Sequence, residues 1–423
     1  MKGQILYAAQ GGAIGDEELR RALADSLSDC KETLKKVLLL VPDFTRFHSN
    51  AGKIANMYYH MLKDGCRVDL LPALGTHMPM TPDQLTGMYG DIPHDRFLVH
   101  NWRTGVVKIG QVPAEFVTEV SEGTFNDAID VEVSKYLYDG YDLILSIGQV
   151  VPHEVVGMAN HSKNIFVGCG GSSMINSSHC LGAFYGLERM MGRDHSPVRK
   201  VFDYAAEHFL ADLPIHYALT VTTAPGGEIQ LHGLFIGKER SYFEKAVELA
   251  QQKNMTFVDQ PLKKVVVYLD DSEFKSTWLG NKSIYRTRMA LADGGELIVL
   301  APGVEMFGED PENDALIRKY GYCGREKVIE LCGTQADIKE NLSVAAHLIH
   351  GSSDGRFSIT YCTQHLTKEE VERACFNYMP YAEAAKRYNP ETLKDGFNTL
   401  PDGEEIYYIP NPALGLWADR NKY

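Results

Sequence analysis

The chain has 423 residues, and at roughly 150 residues per domain that length sets an expectation of two or three domains. Hydrophobic residues make up 44% and charged residues 23%, which is ordinary globular usage, excludes a disordered chain and supplies enough apolar material for packed cores. The 42 Lys and Arg against 56 Asp and Glu leave a formal charge of −14, which argues against nucleic acid or an anionic membrane as partner and requires any anion site to be built locally.

Eight cysteines (Cys30, Cys66, Cys169, Cys180, Cys323, Cys332, Cys362, Cys375) form no C-x-x-C pair, so they read as reduced, mostly buried thiols rather than a zinc ribbon or a redox motif. Residues 1–7 lack the apolar core of a signal peptide, and no apolar run approaches the ~18–20 residues of a membrane span. The expectation is a cytoplasmic protein with a small-molecule partner; the sequence leaves homo-oligomerisation open.

In chain order, residues 36–42 (KVLLLVP) are a continuous apolar run of the kind a buried parallel strand shows, and residues 51–62 read as a helix. Residues 68–74 and 143–147 are further strands, each running into a Gly-containing loop. Ligands of open α/β sheets bind where such strands end, and Asp43, Arg46, His77 and His153 all fall there. A hairpin (218–223, a Pro-Gly-Gly turn, 228–235) and a helix (241–252) close a first domain. Strands at 263–269 and 296–301 begin a second set; its later parts include a helix at 368–376 and a last strand at 404–410. The expected fold class is therefore α/β: two α/β domains with mainly parallel sheets and the active site in the interdomain cleft. Residues 1–258 would be the cofactor-binding and catalytic domain, and 259–423 the domain that closes the cleft.

Most of the fifteen histidines have no partner pattern and read as surface or satisfied core residues. His77, His153, His161 and His179 stand in segments too polar for core and too apolar for linker. Residues 146–179 (SIGQVVPHEVVGMANHSKNIFVGCGGSSMINSSH) bring together His153, Lys163, a Gly168-Cys-Gly-Gly171 turn and His179. Such a segment offers backbone N–H groups for a phosphate, an amine and two imidazoles. The spacings match no generic zinc motif such as H-E-x-x-H, and a Gly-rich loop with incidental histidines is the bland alternative.

Asp43-Phe-Thr-Arg46, Gly75-Thr-His77-x-Pro79-x-Thr81, the spacing of His153, Lys163 and His179, and the Gly168–Gly171 turn together resemble the nickel-pincer-nucleotide-dependent lactate racemase family. The resemblance implies a 2-hydroxyacid racemase or epimerase, with His77 and His153 as paired acid/base groups. It further implies that Lys163 is linked to the cofactor, a pyridinium-3-thioamide-5-thiocarboxylic acid mononucleotide holding nickel, and that His179 is the protein ligand of that metal. Asp43, Thr45, Arg46, Gly170 and Gly171 correspond to cofactor contacts, and Arg46 to a substrate contact as well. The chemistry is coherent: removing hydride from C2 while a base takes the hydroxyl proton gives a stable 2-oxo acid, and inversion calls for a base on each face.

The chain departs from that pattern in two places. Where the family has Gly-Gly before the lysine, this chain has Asn160-His161, and where the family has a substrate-binding Lys, it has Tyr285-Arg286-Thr-Arg288. Read as substrate contacts, Tyr285, Arg286, Arg288, Asn160 and His161 point to a polar acid, an aldonate or a malate-like acid, rather than lactate. The rival readings are an NAD(P)-dependent 2-hydroxyacid dehydrogenase, whose G-x-G-x-x-G fingerprint is missing after 36–42 and 263–269, a zinc-dependent hydrolase, and a sugar-acid-binding module without turnover.

Overall fold

The structure, a computed structural model, describes residues 1–413 and 415–423. It comprises two compact units, the first made of Met1–Leu181 and Met190–Asn254, the second of Gly182–Arg189 and Met255–Tyr423. The division falls at the end of the helix Arg240–Asn254, a few residues before the expected 258. The short segment Gly182–Arg189 joins the second unit because Glu188 pairs there with Arg288 and Arg356.

The first unit is built on a six-stranded sheet in the order Gln4–Tyr7, Gln230–Gly237, Ile215–Thr223, Leu143–Gln149, Lys36–Val41, Arg67–Pro72. The first three form antiparallel pairs; the last four are mutually parallel. Lys36–Val41 and Leu143–Gln149 are buried along nearly their whole length, as strands covered on both faces must be, which is why they read as unbroken apolar runs. The helices Asp16–Leu27 and Ala51–Leu62 place Leu19, Leu23, Ile54, Tyr58 and Leu62 against Leu39, Val41 and Leu145. Helix Arg240–Asn254 packs on the antiparallel hairpin.

The second unit has its own six-stranded sheet, ordered Asn377–Pro380, Ser358–Thr363, Leu291–Leu300, Leu262–Tyr268, Glu405–Ile409, Gly396–Thr399, parallel except for the last pair. The helix expected at 368–376 stops at Arg373, since Cys375 takes a left-handed φ of 69° that no right-handed helix admits. Glu405–Ile409 is not the last strand either: Trp417–Asp419 follows and pairs with Thr256–Val258 in a separate parallel ribbon. Two mainly parallel α/β sheets are thus present, as expected. Among the described residues no helix is long and apolar enough to cross a membrane.

Candidate active site

Leu143–Gln149, Lys36–Val41 and Arg67–Pro72 are parallel neighbours, so their C-terminal ends open on one edge of the sheet. The loops that follow carry His153, Asp43 with Arg46, and His77, which places three chain segments far apart in sequence at a single rim. Gly75 N–H donates to the Gly168 carbonyl at 2.8 Å, tying the His77 loop to the Gly168–Gly171 turn. The turn Phe44–Ser49 is held to the neighbouring strand by the Thr220 and Thr222 hydroxyls, which donate to the Ser49 and His48 carbonyls.

Asp43 caps that turn: one carboxylate oxygen accepts from the Thr45 N–H at 3.1 Å and the Thr45 hydroxyl at 2.5 Å, and the other pairs with His77 Nδ1. Burial alone would raise the Asp43 carboxyl, but the His77 hydrogen bond and charge, with Thr45 and Arg46, hold it below the usual carboxylate range. A charged carboxylate at Nδ1 assigns the proton to that nitrogen, so His77 Nε2 keeps its lone pair.

His153 is set differently. It sits in a two-residue ribbon with Gly157 and is buried, and its Nδ1 accepts the Val155 N–H at 3.1 Å. Glu154 Oε2 stands 3.7 Å from the same nitrogen, too far for a hydrogen bond. Burial pushes this imidazole well below its ordinary value, as do the charges of Lys163, Arg46 and His179, with only Glu154 opposing. The result is a neutral ring with its proton on Nε2. The two histidines are therefore not equivalent: one offers an acceptor, the other a donor.

Lys163 opens the wide helical turn Asn164–Gly168. Its amine is pushed down to about 8 by burial and by Arg46 and Arg199, against the pull of Glu154 and Asp43, so a substantial neutral fraction exists near physiological pH. His179 lies on the helix Ser172–Tyr185; its Nδ1 donates to the Ile175 carbonyl one turn back at 2.6 Å, and burial lowers its pKa. A backbone carbonyl on Nδ1–H leaves a neutral imidazole with a free Nε2, the arrangement of a metal-ligating histidine. Cys169 is a poor competitor for a metal, since burial pushes its thiol up to about 12.

Several expected contacts are placed otherwise. A Cβ at Gly171 would stand 2.3 Å from Glu132 Oε2, and one at Gly170 would meet the Phe166 carbonyl oxygen; Glu132 also accepts from the Ser173 N–H. These glycines serve tight packing, and a carboxylate already takes the anion position at that helix start. Asn160 and His161 are buried: the Asn160 oxygen accepts the His161 N–H, and the His161 ring stacks between Tyr217 and Phe243, at centroid distances of 4.0 and 5.0 Å. In the second unit Arg288 spends its guanidinium on Glu188, Asp354 and the Ser352 carbonyl. Arg286 donates to the Gly415 carbonyl, and Tyr285 is buried. A guanidinium already paired with two carboxylates and a carbonyl is not a free clamp for a third carboxylate.

Residues 10–190 match the family model described as the lactate racemase N-terminal domain. Over this part the chain is similar to the lactate racemase family. In fold it is similar to a crystal structure of a Thermotoga maritima protein, with a TM-score of 0.79 and 24% identity, covering 97% of this chain and 99% of that one. It is similar as well to the lactate racemase apoprotein from Thermoanaerobacterium thermosaccharolyticum, with a TM-score of 0.72 and 17% identity, covering 96% and 93%. A search of curated proteins gave no match.

The donor set agrees with the cofactor that the family's members are expected to carry. Among the described residues no three His, Cys, Asp or Glu side chains are grouped to hold a metal ion. His179, with its Nδ1–H held by a carbonyl, would hold the metal of such a cofactor, and Lys163, with its lowered amine, would meet the nucleotide. Sequence reading passed over Glu132, Glu154, His100 and Arg199. Only Glu154, adjacent to His153, carried a local signal; His100, which holds the Gly170 carbonyl at 3.0 Å, and Arg199 carried none.

Proposed function

We propose that the protein is a racemase or epimerase inverting C2 of a 2-hydroxy acid by reversible hydride transfer, with a nickel-pincer nucleotide as hydride carrier. The observation that carries this reading is the pairing, within the first unit, of a carboxylate-oriented base, His77 on Asp43, with a neutral imidazole, His179, whose Nε2 is left for a metal. When bound, the nucleotide would supply the hydride-accepting and hydride-donating chemistry at C2. His77 Nε2 receives the hydroxyl proton, and Asp43 stabilises the imidazolium that forms. Arg46, whose charge is felt at both His153 and Lys163, attracts the substrate carboxylate to the same rim. Lys163 supplies an amine that is partly neutral, as a lysine needs to be to act as a nucleophile toward a bound ligand. His153 presents Nε2–H to the oxygen at C2; to act as a base for the opposite enantiomer, it must move its proton to Nδ1 and give up the Val155 N–H.

The preference for an aldonate or a malate-like acid over lactate rested on Asn160, His161, Arg286 and Arg288. Asn160 and the stacked His161 ring are buried in their turn, Arg286 donates to the Gly415 carbonyl and Arg288 is paired with two carboxylates, so these residues support the class of 2-hydroxy acid and no narrower choice. The test is protein loaded with nickel and the nucleotide, given a panel of lactate, malate and aldonates, with products resolved by chiral chromatography. Inversion at C2 of at least one acid, dependent on nickel and independent of NAD(P), is the expected result. Nickel-loaded protein that inverts none of them, or turnover that needs added NAD(P), overturns the proposal.

A further inference from the structure

The Gly-to-Asn and Gly-to-His replacements just before Lys163 leave a conformational trace. Asn160 and His161 both adopt left-handed backbone, with φ of 69° and 56°, a region that glycine enters freely, Asn tolerates and a residue such as His seldom adopts. Two such residues in succession persist only where surrounding contacts dictate the turn. Those contacts centre on Arg199, which is fully buried. Its Nη1 donates to the Ser162 hydroxyl at 2.9 Å, and its Nη2 donates to the Met158 carbonyl at 2.6 Å and the Asn160 carbonyl at 3.2 Å. The same guanidinium lies over the Phe243 ring at 4.5 Å, and Phe243 is one of the two rings that sandwich His161. On the other side of the turn, the Asn160 amide fills the space over Gly148, where a Cβ would stand 2.2 Å from Nδ2.

A buried guanidinium is an expensive way to hold a loop, since it takes a charge out of water with no carboxylate hydrogen-bonded to it. Asp203, the nearest compensating charge, is itself bound to Arg240 at 2.6 Å. The hydroxyl and both carbonyls that Arg199 holds belong to the five residues leading into Lys163.

We propose that Arg199 is a positioning residue for Lys163: its fork clasps the 158–162 turn, holds the Asn160-His161 pair in its left-handed conformation, and so presents the lysine amine in one fixed place. The inference deepens the functional reading above, because a preset amine matters only if Lys163 meets a ligand. Its geometry stands apart from that reading.

The experiment uses the full chain without cofactor. Brief acetylation with acetic anhydride across about pH 6 to 11, read at Lys163 by peptide mass spectrometry, gives the midpoint of that amine. Arg46, Glu154, Asp43 and Arg199 all act on it, and only Arg199 is varied. Amide exchange over residues 157–163 reports the clasp directly. In Arg199→Met the exchange should accelerate by roughly tenfold or more, since three hydrogen bonds are lost, and the Lys163 midpoint should rise by the share that Arg199 contributes, burial and Arg46 still holding it down. Arg199→Lys keeps the charge without the fork and should loosen the turn nearly as much while moving the midpoint less. Should Arg199→Met fail to fold, Ser162→Ala removes one contact of the clasp and should speed exchange confined to 157–163. Unchanged exchange and an unchanged midpoint in folded Arg199→Lys or Arg199→Met overturn the proposal. A parent chain that shows the clasp but inverts no 2-hydroxy acid supports the clasp and strikes the functional reading alone.

Discussion

Replacing Asp43 with Asn probes the assignment of His77 as base, because it alters a proton's location while barely changing shape. In the parent, one carboxylate oxygen takes both Thr45 donors and the other takes His77 Nδ1–H. The Asn amide can satisfy Thr45 with its oxygen or His77 with its oxygen, not both. Keeping two donors satisfied outweighs keeping one, so the Nδ2–H group should face His77. Nδ1 must then accept, which moves the imidazole proton to Nε2, the nitrogen required to take the substrate proton. A base in the wrong tautomer loses up to about 10⁴-fold in turnover when its ring is locked. Here the His77 side chain is 59% exposed, so the ring can turn and recover part of that, and the expected loss is about 10²- to 10³-fold, or roughly 3–4 kcal/mol in the barrier. The assay is the initial rate of inversion from each enantiomer with cofactor-loaded protein, with nickel content measured in parallel. Because Asp43 and His77 act as a unit, Asp43→Asn combined with His77→Ala should be no slower than His77→Ala alone. Turnover within about threefold of the parent would refute the dyad, as would additive losses in the double variant.

Four further outcomes follow from the same geometry. His179→Ala removes the imidazole whose Nε2 is left for the metal, and metal analysis of cofactor-loaded protein should find nickel lost while circular dichroism and the melting temperature stay near the parent's; retained nickel refutes the ligand assignment. Lys163 sits near 8 folded and near 10.4 unfolded, so between those values the unfolded chain binds the extra proton and stability rises with pH. Denaturation across that window should show the rise in the parent and a flatter curve in Lys163→Met. The Asp43 carboxyl is depressed in the fold, so its contribution is present above the unfolded value and lost as pH falls through the folded one; Asp43→Asn should be less sensitive to acid than the parent, which acid unfolding curves will show. Arg288→Met breaks two ion pairs in the second unit and leaves Glu188 and Asp354 without that partner, for which a loss of about 3–5 kcal/mol is expected in chemical denaturation; a large rise in KM without a stability loss would instead restore Arg288 as a substrate clamp.

The strand-end residues were legible because their signal is topological. A short continuous apolar run is what a strand covered on both faces shows, parallel strands end on one edge, and so Asp43, His77 and His153 fall on loops of one rim once 36–42, 68–74 and 143–147 are read as strands. What the sequence concealed is how each polar side chain is already spent. Asn160 and His161 look like additional hydrogen-bonding groups when written in place of two glycines, yet a left-handed turn keeps its shape whichever residues fill it, provided something holds it there. In this chain the holding group is Arg199, 36 positions beyond Lys163 along the chain, with nothing in its own neighbourhood to mark it. The same holds for Arg288, whose carboxylate partners Glu188 and Asp354 lie on distant segments, and for Gly171, where Glu132 takes the place a phosphate was expected to fill. Motif spacing finds the residues that the backbone topology must bring together, and it is blind to partners recruited from elsewhere in the fold. Asn160 and His161 before Lys163 are therefore better explained as parts of a turn held by Arg199 than as an enlargement of a substrate pocket.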